Sequence, residues 1–155
     1  MLSGLIIRPV AASDFAQWAK LWEGYNTHYE RTLPDEITRT TWARFFDGNE
    51  PVYALVAEKD RQLLGLTHYL FHRSTSMIPP TCYLQDLFTD ESARGQGIGR
   101  ALIDAVYQRA RDAGCLRVYW QTHETNATAM KLYDKVAERS GFVVSRKELS
   151  PRGFK

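Results

Sequence analysis

YLQDLFTDESARGQGIGRALIDAVYQRARDA, residues 83–113, passes from an apolar segment through a loop holding Gly95, Gly97 and Gly99 into a segment with helical spacing. Ile98, Ala101, Leu102, Ala105, Val106 and Ala110 share one face of that helix, and Gly114 is a natural stop. A strand feeding through glycines into a helix start is an anion site. Glycine lets backbone approach a ligand, and the first helical N–H groups have no partner inside the helix. The spacing therefore predicts a phosphate or pyrophosphate at residues 94–100.

Working outward, Val52–Glu58 and Leu63–Phe71 read as a hairpin turned at Lys59-Asp60-Arg61. Leu5–Arg8 is a short strand before Pro9. Ser13 or Asp14 can cap a helix through Phe15, Trp18, Ala19 and Trp22, which Gly24 is expected to interrupt. A second helix is predicted after Pro34, through Ile37, Trp42 and Phe45. Beyond the glycine helix come a strand over Leu116–Gln121, a helix capped by Asn126, a last strand over Phe142–Leu149, and a tail from Pro151 expected to fray. No repeat or low-complexity segment is present, and a single domain over residues 1–155 is expected. The order predicts a mixed α/β (α+β) sheet, antiparallel first, with a later strand–helix–strand crossover.

The chain has 155 residues, 44% hydrophobic and 25% charged, with a net charge of +2. These values suit a soluble globular domain and are too mild to argue for nucleic acid. Cys82 and Cys115 lack CxxC spacing and read as buried thiols of a reducing cytoplasm. No apolar run reaches the length of a membrane span, and no secretory leader is read at the N-terminus. The four histidines, His28, His68, His72 and His123, show no metal-ligand spacing, and no metal is assigned.

Two common phosphate motifs do not fit the loop. A P-loop needs Gly-Lys-Ser/Thr, whereas Gly99 is followed by Arg100-Ala101. The dinucleotide fingerprint needs G-x-G-x-x-G and an acid on the next strand tip. This loop is G-x-G-x-G, and Tyr119-Trp120-Gln121-Thr122 carries no acid. Coenzyme A is the third candidate.

Here Arg94-Gly95-Gln96-Gly97-Ile98-Gly99 resembles the Arg/Gln-x-x-Gly-x-Gly/Ala motif of the GNAT N-acetyltransferases. Leu84-Gln85-Asp86-Leu87-Phe88 is similar to their bulged fourth strand. Asn126, Ala129, Leu132-Tyr133 and Gly141-Phe142 are similar to their later signature. LxDLF before the loop and YWQTxExN after it resemble the branch of polyamine, thialysine and Hpa-type acetyltransferases. The resemblance implies a mixed, mostly antiparallel sheet of about six or seven strands flanked by about four helices, an expectation of fold class that the helical and strand periods support. It also implies a homodimer.

By the same resemblance, acetyl-CoA is the co-substrate. Leu87, Phe88 and Thr89 would pair with its pantetheine arm. Arg94, Gly95, Gln96, Gly97, Ile98, Gly99 and Arg100 would wrap its pyrophosphate, and Asn126 and Ala129 would contact it. Tyr133 would protonate the leaving thiolate, a task suited to a phenol of pKa about 10. An alkylamine of pKa about 10.4 is protonated at neutral pH and needs a base. The polyamine branch has Leu-Glu-Asp where this chain has Leu84-Gln85-Asp86, and Gln85 cannot take a proton. Asp86 is the nearest acid, provided that a bulge re-aims it. Gln85, Glu30 and Tyr29 fall where the acceptor would bind, with Glu23 and Glu124 as further acids. The implied activity is acetyl transfer to a primary amine of a small molecule, polyamine-like or lysine-like, with neither nucleic acid nor membrane as partner. A protein lysine or histone-type acetyltransferase and a non-catalytic acyl-CoA sensor are the alternatives.

Overall fold

Asp60 and Arg61 both take left-handed backbone angles, φ 51 and φ 65, in a computed structural model that describes residues 3–150. Two successive positive φ values match the right-handed twist of flanking strands, and so close a tight hairpin. The hairpin joins β2 (Val52–Lys59) to β3 (Gln62–His72). Outside it lie β1 (Ile6–Pro9) on β2 and β4 (Thr81–Thr89) on β3, all antiparallel. The last strand, β5 (Val118–Tyr119), is parallel to β4, giving a five-stranded sheet in the order β1-β2-β3-β4-β5.

Each face of the sheet takes a helix. On one side α1 (Phe15–His28) buries Trp18, Leu21, Trp22 and Tyr25 against Val56, Leu63 and Leu66. The short α2 (Asp35–Arg44) adds Trp42 to this aromatic layer, 4.8 Å from Trp18 between ring centres. On the other side α3 (Ile98–Asp112) buries Ile98, Leu102, Ile103, Val106 and Ala110. Gly65 permits this close approach. A Cβ there would sit 3.0 Å from Phe88 O and 3.1 Å from both Ile98 Cγ2 and Leu102 Cδ1.

The chain divides into two compact units, Met1–Trp120 and Gln121–Lys155. The second holds α4 (Ala127–Val136), whose first turn is capped as expected: Ala129 N–H donates to Asn126 Oδ1 at 3.3 Å.

Three expectations are corrected. The sheet has five strands rather than six or seven, because Phe142–Leu149 forms no strand. Among the described residues its unit offers no second strand to pair with, and Phe142, Val143 and Leu149 are exposed. The strand expected over Leu116–Gln121 shrinks to two residues, since β4 pairs with it only at Cys82 and Tyr83. Gly24 does not interrupt α1. Helix continues to His28 because the Phe88 ring packs on the glycine, where a Cβ would lie 3.0 Å from Phe88 Cζ. The tail from Pro151 lies outside the described residues.

Candidate active site

Asp86 reaches its position through a one-residue bulge. Across β3 and β4 the register runs His68↔Asp86 and then Tyr69↔Leu84, so Gln85 is the extra residue. Strict alternation would put Leu84 and Asp86 on the same face. The inserted residue sends Leu84 to the side of Tyr69 and Asp86 to that of His68, while Gln85 stays exposed. Leu66 and His68 both face α1, so Asp86 lies beneath its aromatic stripe, 7% exposed.

A buried carboxylate needs partners. His68 Nδ1–H donates to Asp86 Oδ2 at 2.9 Å, and Trp18 Nε1–H donates to His68 Nε2 at 3.1 Å. An indole N–H can only donate, so His68 Nε2 carries the lone pair and the ring proton sits on Nδ1. Burial, followed by the charge of Asp86, raises the Tyr25 phenol's pKa well above its ordinary value. Tyr25 therefore remains a donor across the physiological range. Thr67 Oγ1–H completes the frame by donating to Asp86 O at 2.8 Å. Trp18, His68 and Asp86 thus form one chain of hydrogen bonds linking α1 to the sheet, with the Tyr25 phenol close enough to feel the charge of Asp86.

Around Asp86 the helix end carries Tyr29, 46% exposed, its ring 4.9 Å from that of Tyr25. Glu30 is exposed with φ 56, and its backbone turns the chain out of α1. Trp22 Nε1 is buried without an acceptor among the described residues, in a ring 5.3 Å from Tyr25 and 5.1 Å from His68.

The glycine loop follows on the same strand. Among the described residues the outer edge of β4 has no strand partner beyond Tyr83, so backbone groups of Leu87, Phe88 and Thr89 border an unpaired edge. Arg94 folds back on that edge: its Nε donates to Thr89 O at 3.3 Å, and its Cζ lies 5.6 Å from the Phe88 ring centre. Gly95 and Gly97 take φ 79 and φ 82, and Gly97 O accepts the first helical bond, from Ala101 N–H at 3.0 Å. The N–H groups of Ile98, Gly99 and Arg100 precede any intrahelical partner. Gln96 and Arg100 are exposed beside them, and a Cβ at Gly95 would meet nothing within 4 Å. This open fan of donors fits a pyrophosphate.

In the second unit, Asn126 and Ala129 are joined by the capping bond, and Tyr133 lies on α4, half-buried. The first unit thus brings together Asp86, Gln85, Tyr29 and the glycine loop on β4 and its neighbours. No group of three or more His, Cys, Asp or Glu among the described residues could hold a metal ion. Both cysteines are free, and burial pushes the Cys82 thiol up to about 12, unsuited to a nucleophile. No helix among the described residues is long and apolar enough to cross a membrane.

His68 and Trp18 were not among the residues expected from the sequence. The signal for His68 was present: it alternates with Leu66 on a buried strand, and a histidine on a core face must find a partner. Its partner depended on the bulge, which the spacing alone does not locate.

The bulged strand β4 thus carries a buried carboxylate and leads into the glycine loop at the start of α3. The chain belongs to the acetyltransferase (GNAT) family, whose model matches residues 16–137. It is 33% identical over 145 residues to the D-amino-acid N-acetyltransferase HPA3 of Saccharomyces cerevisiae, covering 92% of this chain and 90% of that protein. It is 27% identical over 88 residues to the thialysine N-epsilon-acetyltransferase of Caenorhabditis elegans, covering 57% and 54%. The relatives bear out the thialysine and Hpa-type branch. The fold is shared with the aminoglycoside N-acetyltransferase AAC(6')-Iy, solved with a CoA-linked bisubstrate analogue: TM-score 0.82, 17% identity, 94% of this chain and 99% of that one. The protein is an N-acetyltransferase.

Proposed function

We propose that the 155 residues act as one functional domain that moves the acetyl group of acetyl-CoA to a primary amine of a small molecule, by direct attack in a ternary complex. Polyamine-like and lysine-like amines are the acceptor classes, and the relative named for D-amino acids supports including amino acids. The observation that carries this reading is the bulge at Gln85, which supplies a held carboxylate where the branch's glutamate is missing.

Acetyl-CoA supplies the thioester. The amine nitrogen forms the new C–N bond as the C–S bond breaks. Asp86 accepts the proton that the acceptor ammonium must lose. His68 holds its Oδ2 in place, and the aromatic layer of α1 and α2 excludes water. Residues 95–100 hold the pyrophosphate through backbone N–H groups, with Arg94 and Arg100 adding charge. The open edge at Leu87–Thr89 takes the pantetheine amides. Asn126, Ala129 and Tyr133 enter from the resemblance: the first two contact the cofactor, and the Tyr133 hydroxyl gives its proton to the departing sulfur. Gln85, Tyr29 and Glu30 border the acceptor. A homodimer working in the cytoplasm is part of the same reading, checked by light scattering and fractionation.

The test is CoA thiol release from acetyl-CoA with pools of polyamines, amino acids and a basic peptide, using wild type, Asp86→Asn and Tyr133→Phe. Release that depends on the small-molecule pools, and falls at least about a hundredfold in each variant, is expected. Release with the peptide alone, or undiminished release by Asp86→Asn, would overturn the reading.

A further inference from the structure

Arg31 is held on several sides. Its Nε donates to Asn26 Oδ1 at 2.7 Å, and buried Asn26 is itself anchored through Nδ2 to Trp22 O at 2.8 Å. Its Cζ lies 5.5 Å from the ring centre of Tyr25 and 5.8 Å from that of Tyr29. The left-handed Glu30 turns the chain back so that Arg31 N–H also donates to Asn26 O, at 3.0 Å. A glutamate rarely takes that left-handed conformation. Much of the side-chain entropy that an arginine loses on binding is therefore already lost here. Among the described residues no carboxylate forms an ion pair with it, and its two Nη groups have no acceptor. A fixed guanidinium with its fork unused fits a carboxylate.

The other charge of the site lies across the same tyrosine. Tyr25 carries Arg31 over its ring, and its phenol lies close enough to Asp86 to feel that charge. One tyrosine side chain thus stands between a cation that has no ion-pair partner among the described residues and a buried anion. An α-amino acid presents the complementary pair, with its ammonium toward Asp86 and its carboxylate toward Arg31. A diamine presents a second cation, which Arg31 repels. The half-buried setting of Arg31 makes both effects stronger than on an open surface.

We infer that Arg31 reads the carboxylate of an α-amino-acid acceptor, so that α-amino acids rather than polyamines are the preferred amines. This rests on the proposed function, in which the acceptor amine meets Asp86. It adds the substrate class and the residue that selects it.

The experiment compares each acceptor with its decarboxylated twin: lysine with cadaverine, and phenylalanine in both enantiomers with phenethylamine. The ratio of kcat/KM, acid over amine, is measured for wild type, Arg31→Met and Arg31→Lys. Calorimetry of the same pairs with the CoA-loaded protein reads binding without turnover. The expected wild-type ratio is at least tenfold in favour of the acids for one enantiomer. It falls at least tenfold in Arg31→Met and partly recovers in Arg31→Lys. A wild-type ratio at or below one, or a ratio unchanged in Arg31→Met, overturns the assignment. If no acceptor turns over, the proposed chemistry fails by itself and the calorimetric ratio still decides the role of Arg31: carboxylate-dependent binding lost in Arg31→Met supports it, and equal binding of both twins overturns it.

Discussion

His68 Nδ1 and Asp86 Oδ2 face each other at 2.9 Å across two strands whose register slips by one residue immediately beyond them. The slip and the contact have one cause: with Gln85 in regular register rather than in a bulge, Asp86 would share the face of Leu84. The contact also divides the work of the histidine. One nitrogen donates to the acid, and the other accepts from Trp18.

That division can be separated by substitution. An asparagine amide can replace Nδ1 and leave Trp18 unpartnered, whereas a glutamine can reach the Trp18 end and leave Asp86 without its donor. Each loses one buried hydrogen bond, so both variants should be destabilised by a similar amount, about 1–3 kcal/mol. The kcat values should differ: His68→Asn should retain at least about tenfold more than His68→Gln, with KM for acetyl-CoA unchanged in both. Equal kcat at equal stability would mean that His68 is a packing residue only.

Gly65 ties the core to the cofactor end of the site. Alanine there would press on Phe88 O, a backbone atom that cannot swing aside, and on Ile98 and Leu102 of the first turns of α3. Overpacking of this kind costs about 1–3 kcal/mol. Relief by moving α3 would also shift the glycine loop away from the β4 edge. Gly65→Ala should therefore lower the midpoint of denaturant unfolding and raise KM for acetyl-CoA several-fold. Loss of stability without a change in KM would separate the two.

Asp14 anchors the start of α1 rather than capping it with its side chain. It accepts from Arg8 Nη1 at 2.7 Å, Arg8 Nη2 at 2.9 Å and Ala11 N–H at 2.7 Å. The Arg8 hydrogen bond, opposed by burial and helped by Ala11, holds its carboxyl below the ordinary 3.8. A carboxyl lowered on folding stabilises the protein above its unfolded pKa, and that contribution fades as pH falls through the folded value. Asp14→Asn should cost about 2 kcal/mol at pH 7. Its stability should also fall less steeply than that of wild type below about pH 4, the unfolded carboxyl's range. Parallel stability–pH curves for the two proteins would contradict this.

Much of this architecture was legible because local chemistry and tertiary need agreed. The hairpin, the glycine-started helix and the Asn126 cap are written in periodicity and turn residues, and appear where expected. The failures came where a partner decides. Gly24 reads as a break, but Phe88 occupies the space beside it. Phe142–Leu149 reads as a strand by composition, but strands exist only as pairs. At the site, the acid, the glycine loop and Tyr29 were readable as residue types. His68 and Arg31 were not, since their significance lies in what the bulge and the turn at Glu30 place beside them.

Gly97 tests whether the helix start is the anion site. At φ 82 and ψ 12 it is the residue before α3, and its carbonyl accepts the first helical bond. An alanine there costs about 1–2 kcal/mol if the backbone stays left-handed. If it does not, the first turn rotates and the fan of N–H groups over residues 98–100 loses its common aim. The free protein can relax that strain by leaving the left-handed conformation, whereas a bound anion requires it, so CoA affinity should fall about five- to tenfold. That fall converts to roughly 1–1.4 kcal/mol. Gly95→Ala is the comparison: its φ of 79 brings similar strain, but it stands before the helix and its Cβ meets open space. Calorimetric titration with CoA should show the larger loss for Gly97→Ala, with the two variants equal in thermal stability. Equal affinities for CoA in Gly97→Ala and wild type would place the pyrophosphate elsewhere.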